Sequence, residues 1–367
     1  MPSAINALQP TEGNALTSAV RANFLAAKNE IEALQNRSPH APLANINGHL
    51  AIWQYGTTFT SLSTTPKYFA DLWQYSGGGA TGTYDIARDA DVPTVNQCGI
   101  VAPASLKITC TIANTTIAPT NFATVYHYLE GHSAINIAQR PMTISVWLKT
   151  SIAGTYCISL RNAGSDRSHI SDAVLPANAW SQILIQTTTP EAGTWDYTTG
   201  IGLRVAITLK CGNTYQTTTG AWQTGNYLIS AAQTNLAANV GASLRIAMLQ
   251  IQPGTLTAAE INSQLKVFPP YALELARCQR YYEPILYGIW SGSVTSGQTV
   301  YQHIRYKCSK RVNGTATLSP SGGNAGFPAT APTPDSYSLD SLRINHVANA
   351  SLATAFFQYL GAVNAEL

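Results

Sequence analysis

A hydrophobic seam at the front of the chain sets the first constraint on its fold. Between residues 14 and 36, Val20, Phe24, Ala27, Ile31 and Leu34 recur at alternating steps of four and three. That is the spacing of a heptad helix. A helix this short does not bury its own seam, so it needs a partner, and the simplest partner is the same helix in another copy. The seam covers only about two heptads, too little to select the number of strands in the bundle. Ser38-Pro39-His40-Ala41-Pro42 then breaks the helix.

Beyond that break the periodicity changes from helical to two. Leu50 and Ile52 alternate in Asn47-Gly-His-Leu-Ala-Ile-Trp53 and mark a first strand. The same alternation recurs in 105–112, 143–149, 155–161, 181–186, 203–209 and 244–251, separated by turn clusters such as Gly77-Gly-Gly79 and Cys211-Gly-Asn213. Many alternating strands with Gly/Asn turns and little helix predict a β-sandwich, most simply a jelly roll. Thr257-Ala-Ala-Glu260 is a capping box opening a short helix. A second short helix is expected over 271–282, followed by strands over 285–290, 299–306, 315–318, 339–344 and 353–360, with 319–328 and 331–334 as loops. The expected organisation is mainly β: an attachment segment and oligomerisation helix (1–42), a jelly roll (43–254), a helical connector (255–283) and a smaller C-terminal β-domain (284–367).

Composition narrows the function. Charged residues make up 11% of the chain, against roughly 25% in ordinary soluble domains. Thr, Ser, Asn, Gln and Gly take their place, giving a polar, nearly neutral surface suited to sugars or to packing against other subunits. A net charge of +3 without a Lys/Arg stripe argues against nucleic acid. No apolar run reaches the roughly 18 residues of a membrane helix. The first residues, Met-Pro-Ser-Ala-Ile-Asn, lack the basic and apolar regions of a secretory signal, so folding in the cytoplasm of the producing cell is expected. The six cysteines are scattered without CxxC pairs, which argues against zinc ribbons and disulfide frameworks. No phosphate loop, dinucleotide fingerprint or nucleophile elbow is visible, so no cofactor or metal is expected.

Several stretches together resemble a module common in tailed-phage structural proteins. They are Asn47-Gly-His-Leu-Ala-Ile-Trp-Gln-Tyr-Gly-Thr57, Tyr68-Phe-Ala-Asp-Leu-Trp-Gln-Tyr75, Ala138-Gln-Arg-Pro-Met-Thr-Ile-Ser-Val-Trp-Leu-Lys149, Gly193-Thr-Trp-Asp-Tyr-Thr-Thr-Gly-Ile-Gly-Leu-Arg-Val205 and Leu275-Ala-Arg-Cys-Gln-Arg-Tyr-Tyr-Glu283. The resemblance covers roughly residues 10–285. It implies a virion fibre or spike, a tail fibre or a head spike such as those of gene transfer agents. Such proteins are homo-oligomers, three copies being favoured here and five the alternative. They dock on capsid or tail proteins by the N-terminus and contact host surface polysaccharide. A helical insertion at about 255–270 departs from the module.

A sugar site needs aromatic faces for pyranose rings and planar polar groups for hydroxyls. The loop Thr194–Gly200 offers Trp195, Asp196 and Tyr197. Tyr215 and Trp222 lie in a second polar-aromatic stretch, and Arg161 and Arg167 flank a turn-rich loop. Loops at a sandwich end are a common location for such a site. The competing use of these aromatics is to hold loops or subunits together. Enzymatic activity is not expected: glycan hydrolysis needs two carboxyl groups at a defined separation, and acidic residues are sparse. Asp89-Ala-Asp91 is a weak candidate for calcium; an ordinary loop is the simpler reading.

Overall fold

The computed structural model describes residues 17–36, 44–264 and 269–367, without the side chains at 17, 32–36 and 264. The attachment segment 1–16 and the Pro39–Pro42 break lie outside the described residues. Helix α1 spans Thr17–Asn36. Along it Phe24 and Ile31 are exposed, and Val20 and Ala27 are partly covered. The side chain of Leu34 lies outside the description. Residues 43–367 form one compact unit.

That unit begins with the first sandwich. Its strands are β1 (Thr58–Leu62), β2 (Lys67–Tyr68), β3 (Trp73–Gly78), β4 (Thr83–Asp89), β5 (Ser105–Ile112), β6 (Phe122–Glu130), β7 (Pro141–Thr150), β8 (Gly154–Arg161), β9 (Arg167–Leu175), β10 (Ser181–Thr188), β11 (Ile201–Cys211), β12 (Trp222–Thr224) and β13 (Ser243–Pro253). They form a six-stranded sheet, β1-β4-β5-β13-β7-β10, and a seven-stranded sheet, β12-β9-β8-β11-β6-β3-β2. The ladders are antiparallel, and sequence-distant strands lie side by side. This is a jelly-roll sandwich. Alternation puts Val125 and Leu129, Ile158 and Leu160, and Val205 and Ile207 into the space between the sheets, opposite Ile108, Ile144 and Ile246. Each such side chain contributes roughly 1.5–3 kcal/mol on burial.

The first alternating segment is not a strand. Residues 44–56 follow an irregular path in which Asn47 (φ 53°) and Leu50 (φ 61°) are left-handed. Leu50 and Ile52 are both buried, so the apparent period of two reflects packing on several sides. Asn47 locks the segment: its Nδ2 donates to Ile52 O and Asp71 O, and its Oδ1 accepts from Ile52 N. Gly48 is required here, because a Cβ would lie 2.0 Å from Leu249 O. Gly77 and Gly78 likewise continue β3 instead of turning, since Ser63 O and the Phe122 ring leave no room for a side chain.

Both outer faces of the sandwich are covered. On the six-stranded sheet, Trp147, Ala247 and Met248 lie under residues 92–102, which include α2 (Val95–Cys98), and beside Trp180. After the four-residue α3 (Gly131–Ala134) at the end of β6, the next helix, α4 (Ala258–Gln264), belongs to the insertion noted above and has a visible purpose. Its Asn262 joins Gln182 on β10 to the Gln97 carbonyl, and its Ile261 is fully buried. On the seven-stranded sheet, residues 212–235 lay Leu228 and Ile229 over Cys157, Ile170 and Ala206.

Helix α5 (Tyr271–Gln279) leads into the second sandwich: β14 (Tyr282–Val294), β15 (Thr299–Arg305), β16 (Thr315–Pro320), β17 (Thr333–Tyr337), β18 (Ser341–Val347) and β19 (Leu352–Asn364). Its sheets are β14-β19-β16 and β15-β18-β17, closed around Phe327, Leu342, Ile344, Phe357 and Tyr359. Strand β17 falls where a loop was expected from Ala331-Pro-Thr-Pro334. It pairs only with β18, and an edge strand tolerates proline because its outer N–H has no ladder partner to lose.

The two cores are joined by buried polar contacts. Glu130 at the end of β6 accepts from Arg280 (2.8 and 3.1 Å) and Tyr281 Oη (2.5 Å). Lys310 Nζ, fully buried, donates to Glu283 (2.5 Å) and to Gln279 O (2.5 Å). Gln54 Nε2 spans Asp71 Oδ1 (2.6 Å) and Tyr282 O (3.0 Å).

Candidate functional site

The expected binding residues separate into three places. Trp195 and Trp222 come together, edge to face with ring centroids 5.6 Å apart. Trp222 sits on the short edge strand β12, opposite His169, and its Nε1 donates to Thr187 Oγ1 on the other sheet (3.0 Å). Trp195 donates to Ala192 O (3.2 Å). Both rings are partly exposed and rest on the main core, so they close the open edge of the sandwich while presenting aromatic surface outward.

The loops around them are held by carboxylates. Asp166 accepts from Asn162 Nδ2 (2.5 Å), from Thr194 N (3.1 Å) and from Thr194 Oγ1 (2.9 Å). These bonds favour the charged form and lower its pKa to about 2. Asp196 accepts from Thr198 N (2.6 Å) and Thr198 Oγ1 (2.8 Å), which also lowers its pKa. Its first duty is therefore to brace its own turn. Tyr197 packs against the core. Arg167 bonds the Asp166 carbonyl (2.9 Å) beside the left-handed Gly193, whose Cβ would meet the arginine side chain.

Arg161 belongs to a different cluster. It ends β8 on the outer face of the seven-stranded sheet, donates to Tyr126 Oη (2.6 Å) and lies 5.1 Å from the centroid of that ring. Tyr126 stacks near Tyr128 (5.8 Å), which neighbours Tyr68 (6.3 Å). Tyr68 stacks on Tyr55 (6.0 Å), and Tyr55 on Tyr282 (3.7 Å). A row of tyrosines thus crosses the sheet face from Arg161 to the start of the second sandwich. Tyr128 Oη donates to Gln74 Oε1 (2.8 Å), and Tyr68 Oη to the Leu367 carbonyl. None of these tyrosines was among the expected site residues. The available signal was the i, i+2 spacing of Tyr126 and Tyr128 within one strand, which puts both on one face. Tyr215 stands apart, edge-on to Phe122 at 5.6 Å, and anchors the covering segment 212–235.

The remaining candidates are occupied. Asp91 is paired with Lys149 (2.7 Å) and bonded by Trp180 Nε1 (3.0 Å), and Asp89 with Arg245 (3.3 Å). Their charge is thereby neutralised by protein cations, and the calcium reading loses its ligands. Among the described residues no group of three or more His, Cys, Asp or Glu is placed to hold a metal, and no helix is long and apolar enough to cross a membrane. Two buried carboxyls have raised pKa values. Burial takes Asp71 to about 6, and burial with the nearby Asp71 charge takes Glu366 to about 8. Both are enclosed, by Gln54 and Tyr55 respectively, and serve the joint between the two cores.

No protein-family model matches the chain, and no curated protein matches it. Solved structures align over parts of it. An arabinose-bound GH51 α-L-arabinofuranosidase aligns with 59% of this chain and 27% of its own, at 14% identity and a TM-score of 0.31. The enzymatically active domain of bacteriophage CBA120 tailspike protein 4 aligns with 50% of this chain and 19% of its own, at 12% identity and a TM-score of 0.28. A family 11 carbohydrate-binding module from Clostridium thermocellum, solved with a mixed-linked tetrasaccharide, aligns with 53% of this chain and 99% of its own, at 10% identity and a TM-score of 0.28. The chain therefore spans about a quarter and about a fifth of the first two proteins. Scores of this size carry no inference; the jelly roll is defined by the chain's own strand order.

Proposed function

We propose that this chain is a spike or fibre protein of a virion, mounted by its N-terminal segment and binding host-surface polysaccharide with its β-domains. The observation that carries the binding part is the aromatic surface of the first sandwich. In a chain of low charge, where the outer sheet faces are covered and Tyr126 and Tyr128 are buried beneath them, the partly exposed Trp195–Trp222 pair stands at the rim. Aromatic faces flanked by amide and guanidinium donors suit pyranose rings and their hydroxyls. Weak single sites gain avidity when several copies are displayed together, and the exposed Phe24 and Ile31 of α1 supply a seam for such copies.

A glycan array and whole-capsule binding, read with the full chain displayed at high valency, test the reading. Binding that falls with Trp195→Ala and Trp222→Ala supports it, and absence of any glycan binding at that valency overturns it. Reducing-end release from capsule would instead assign a depolymerase.

A second reading is a purely structural virion component, such as a collar, baseplate or decoration protein. The outer face of β14-β19 favours it. Leu286, Tyr287, Ile289 and Leu360 are exposed on these strands, and a shallow groove of about 510 Å³ in the same sheet is lined by Ile289, Ala353 and Phe356 with Ser291, Thr354 and Gln358. A neutral apolar sheet face of this kind fits a neighbouring subunit better than a sugar.

A further inference from the structure

Arg161 and Arg204 are direct cross-strand partners on β8 and β11, and Arg204 is in turn opposite Tyr128 on β6. The three residues therefore share one row on the outer face of the seven-stranded sheet. Like charges directly opposite each other destabilise a sheet, and a buried charge without a counter-charge costs more still. Both features are present. Arg161 is 6% exposed. It donates only to neutral acceptors, Tyr126 Oη and Asn226 Oδ1, and its buried Nε has no partner. Arg204 donates through Nη1 to Asn162 O (2.6 Å), Ala163 O (3.0 Å) and Ser165 Oγ (3.0 Å). Among the described residues no carboxylate forms an ion pair with either guanidinium. Buried Lys210 also lacks one, but it lies opposite Ala123, not another cation, and its ammonium is held by three carbonyls, Ala80 O, Asn114 O and Thr116 O. Burial and the neighbouring Arg161 charge lower the pKa of Arg204. In a protein with so few charges, two cations held together without an anion mark a place where an anion from outside is missing.

We propose that the Arg161–Arg204 pair receives the carboxylate of an acidic sugar, a uronic- or sialic-type residue of a surface polysaccharide. This deepens the proposed glycan binding and rests on it. Asn226 is the exposed partner of buried Arg161. The carboxylate takes over the acceptor position that its amide oxygen holds on Arg161, and reaches the donors of half-exposed Arg204. A planar guanidinium fork matches a carboxylate, and the charge-assisted bond is stronger than the amide bond it replaces.

The test uses the full chain and four named probes: polygalacturonate, alginate, hyaluronan and polysialic acid, each beside its carboxyl-reduced neutral form, on an array that also carries neutral glycans. The expected result is binding to at least one acidic polymer. That binding falls about tenfold or more on carboxyl reduction and in Arg204→Gln, and weakens as salt is raised from 0.1 to 0.5 M, as screening requires. Arg204→Lys keeps the charge without the fork. It should lose several-fold in acidic binding while neutral-glycan binding is kept and the melting temperature falls only modestly, through the weakened bonds to Asn162 O, Ala163 O and Ser165 Oγ, which separates a site from a folding defect. Binding to neutral glycans alone, or acidic binding indifferent to Arg204, overturns this site and leaves the glycan reading standing. No binding to any glycan overturns both.

Discussion

His127 gives the sharpest quantitative expectation. It sits on β6 between the two sheets, fully buried, with its ring 4.8 Å from Trp73 and no hydrogen-bond partner on either nitrogen. Burial lowers its pKa from 6.5 to about 3. Folded, the ring is neutral at all ordinary pH values; unfolded, it takes up a proton below about pH 6.5. The sign follows. Its contribution to stability is complete above pH 6.5 and is lost as pH falls toward 3, at about 1.4 kcal/mol per unit. By pH 4.5 the loss is about 2.7 kcal/mol, a large part of the roughly 5–15 kcal/mol that holds an ordinary domain together. His127→Phe keeps the contact with Trp73 and removes the titration. Urea unfolding of both proteins at pH 7.5, 6, 5 and 4.5, at one protein concentration, measures the difference. Other titrating groups cancel between the two. The variant should gain on the wild type steadily below pH 6.5. A difference that stays constant within about 0.5 kcal/mol across that range would refute the reasoning, because it would mean that His127 is protonated inside the fold or solvated there.

The remaining expectations are simpler. Glu366→Gln should stabilise the chain by up to about 3 kcal/mol at pH 7 and far less at pH 5. The raised pKa means that the folded state holds a proton which the unfolded chain gives up above about 4.5; an equal change in urea midpoint at both pH values would contradict this. Gly48→Ala should cost about 2 kcal/mol or more by forcing Leu249 and Asn45 apart, seen as a lower melting temperature. Phe24→Glu with Ile31→Glu in the full chain should reduce the mass measured by light scattering to that of one copy; a wild-type chain that already runs as a monomer would dismiss the seam. Trp195→Ala should weaken polysaccharide binding about tenfold with a modest change in melting temperature, and unchanged binding would restrict that ring to holding its loop.

Much of the sandwich was legible because alternation reports burial on a sheet. The runs at 143–149, 155–161, 203–209 and 244–251 all lie within observed strands. Reading failed where alternation had another cause, as at Leu50 and Ile52, and where an edge strand escaped the rule against proline, as at Pro334. The site was less legible for a different reason. Trp195 and Trp222 are close in space, but only because β9 carries β12 beside the loop after β10. The Arg161–Arg204–Tyr128 row depends on the register of three strands separated by 33 residues or more in sequence. Local spacing contains no register, so it marks Arg161 by its loop and leaves Arg204 and Tyr128 as ordinary strand residues. The insertion at about 255–270 is marked by a capping box, yet its task of covering a sheet face emerges only with Asn262 seated between Gln97 and Gln182.

Covering both sheet faces has a consequence for how such a protein can change. The ladders and their covers depend on one another, so a substitution there disturbs two layers at once. The rim is different. The loop carrying Trp195 is fastened to its neighbours by Asp166, gripping Thr194 and Asn162, and by backbone bonds from Gly164 N to Thr194 O and from His132 N to Thr198 O. A new loop that keeps that clasp can exchange its aromatic and polar side chains without altering a single strand pairing. A lineage facing shifting surface chemistry on its targets would thus find its freedom concentrated at one small patch, while the body beneath stays fixed.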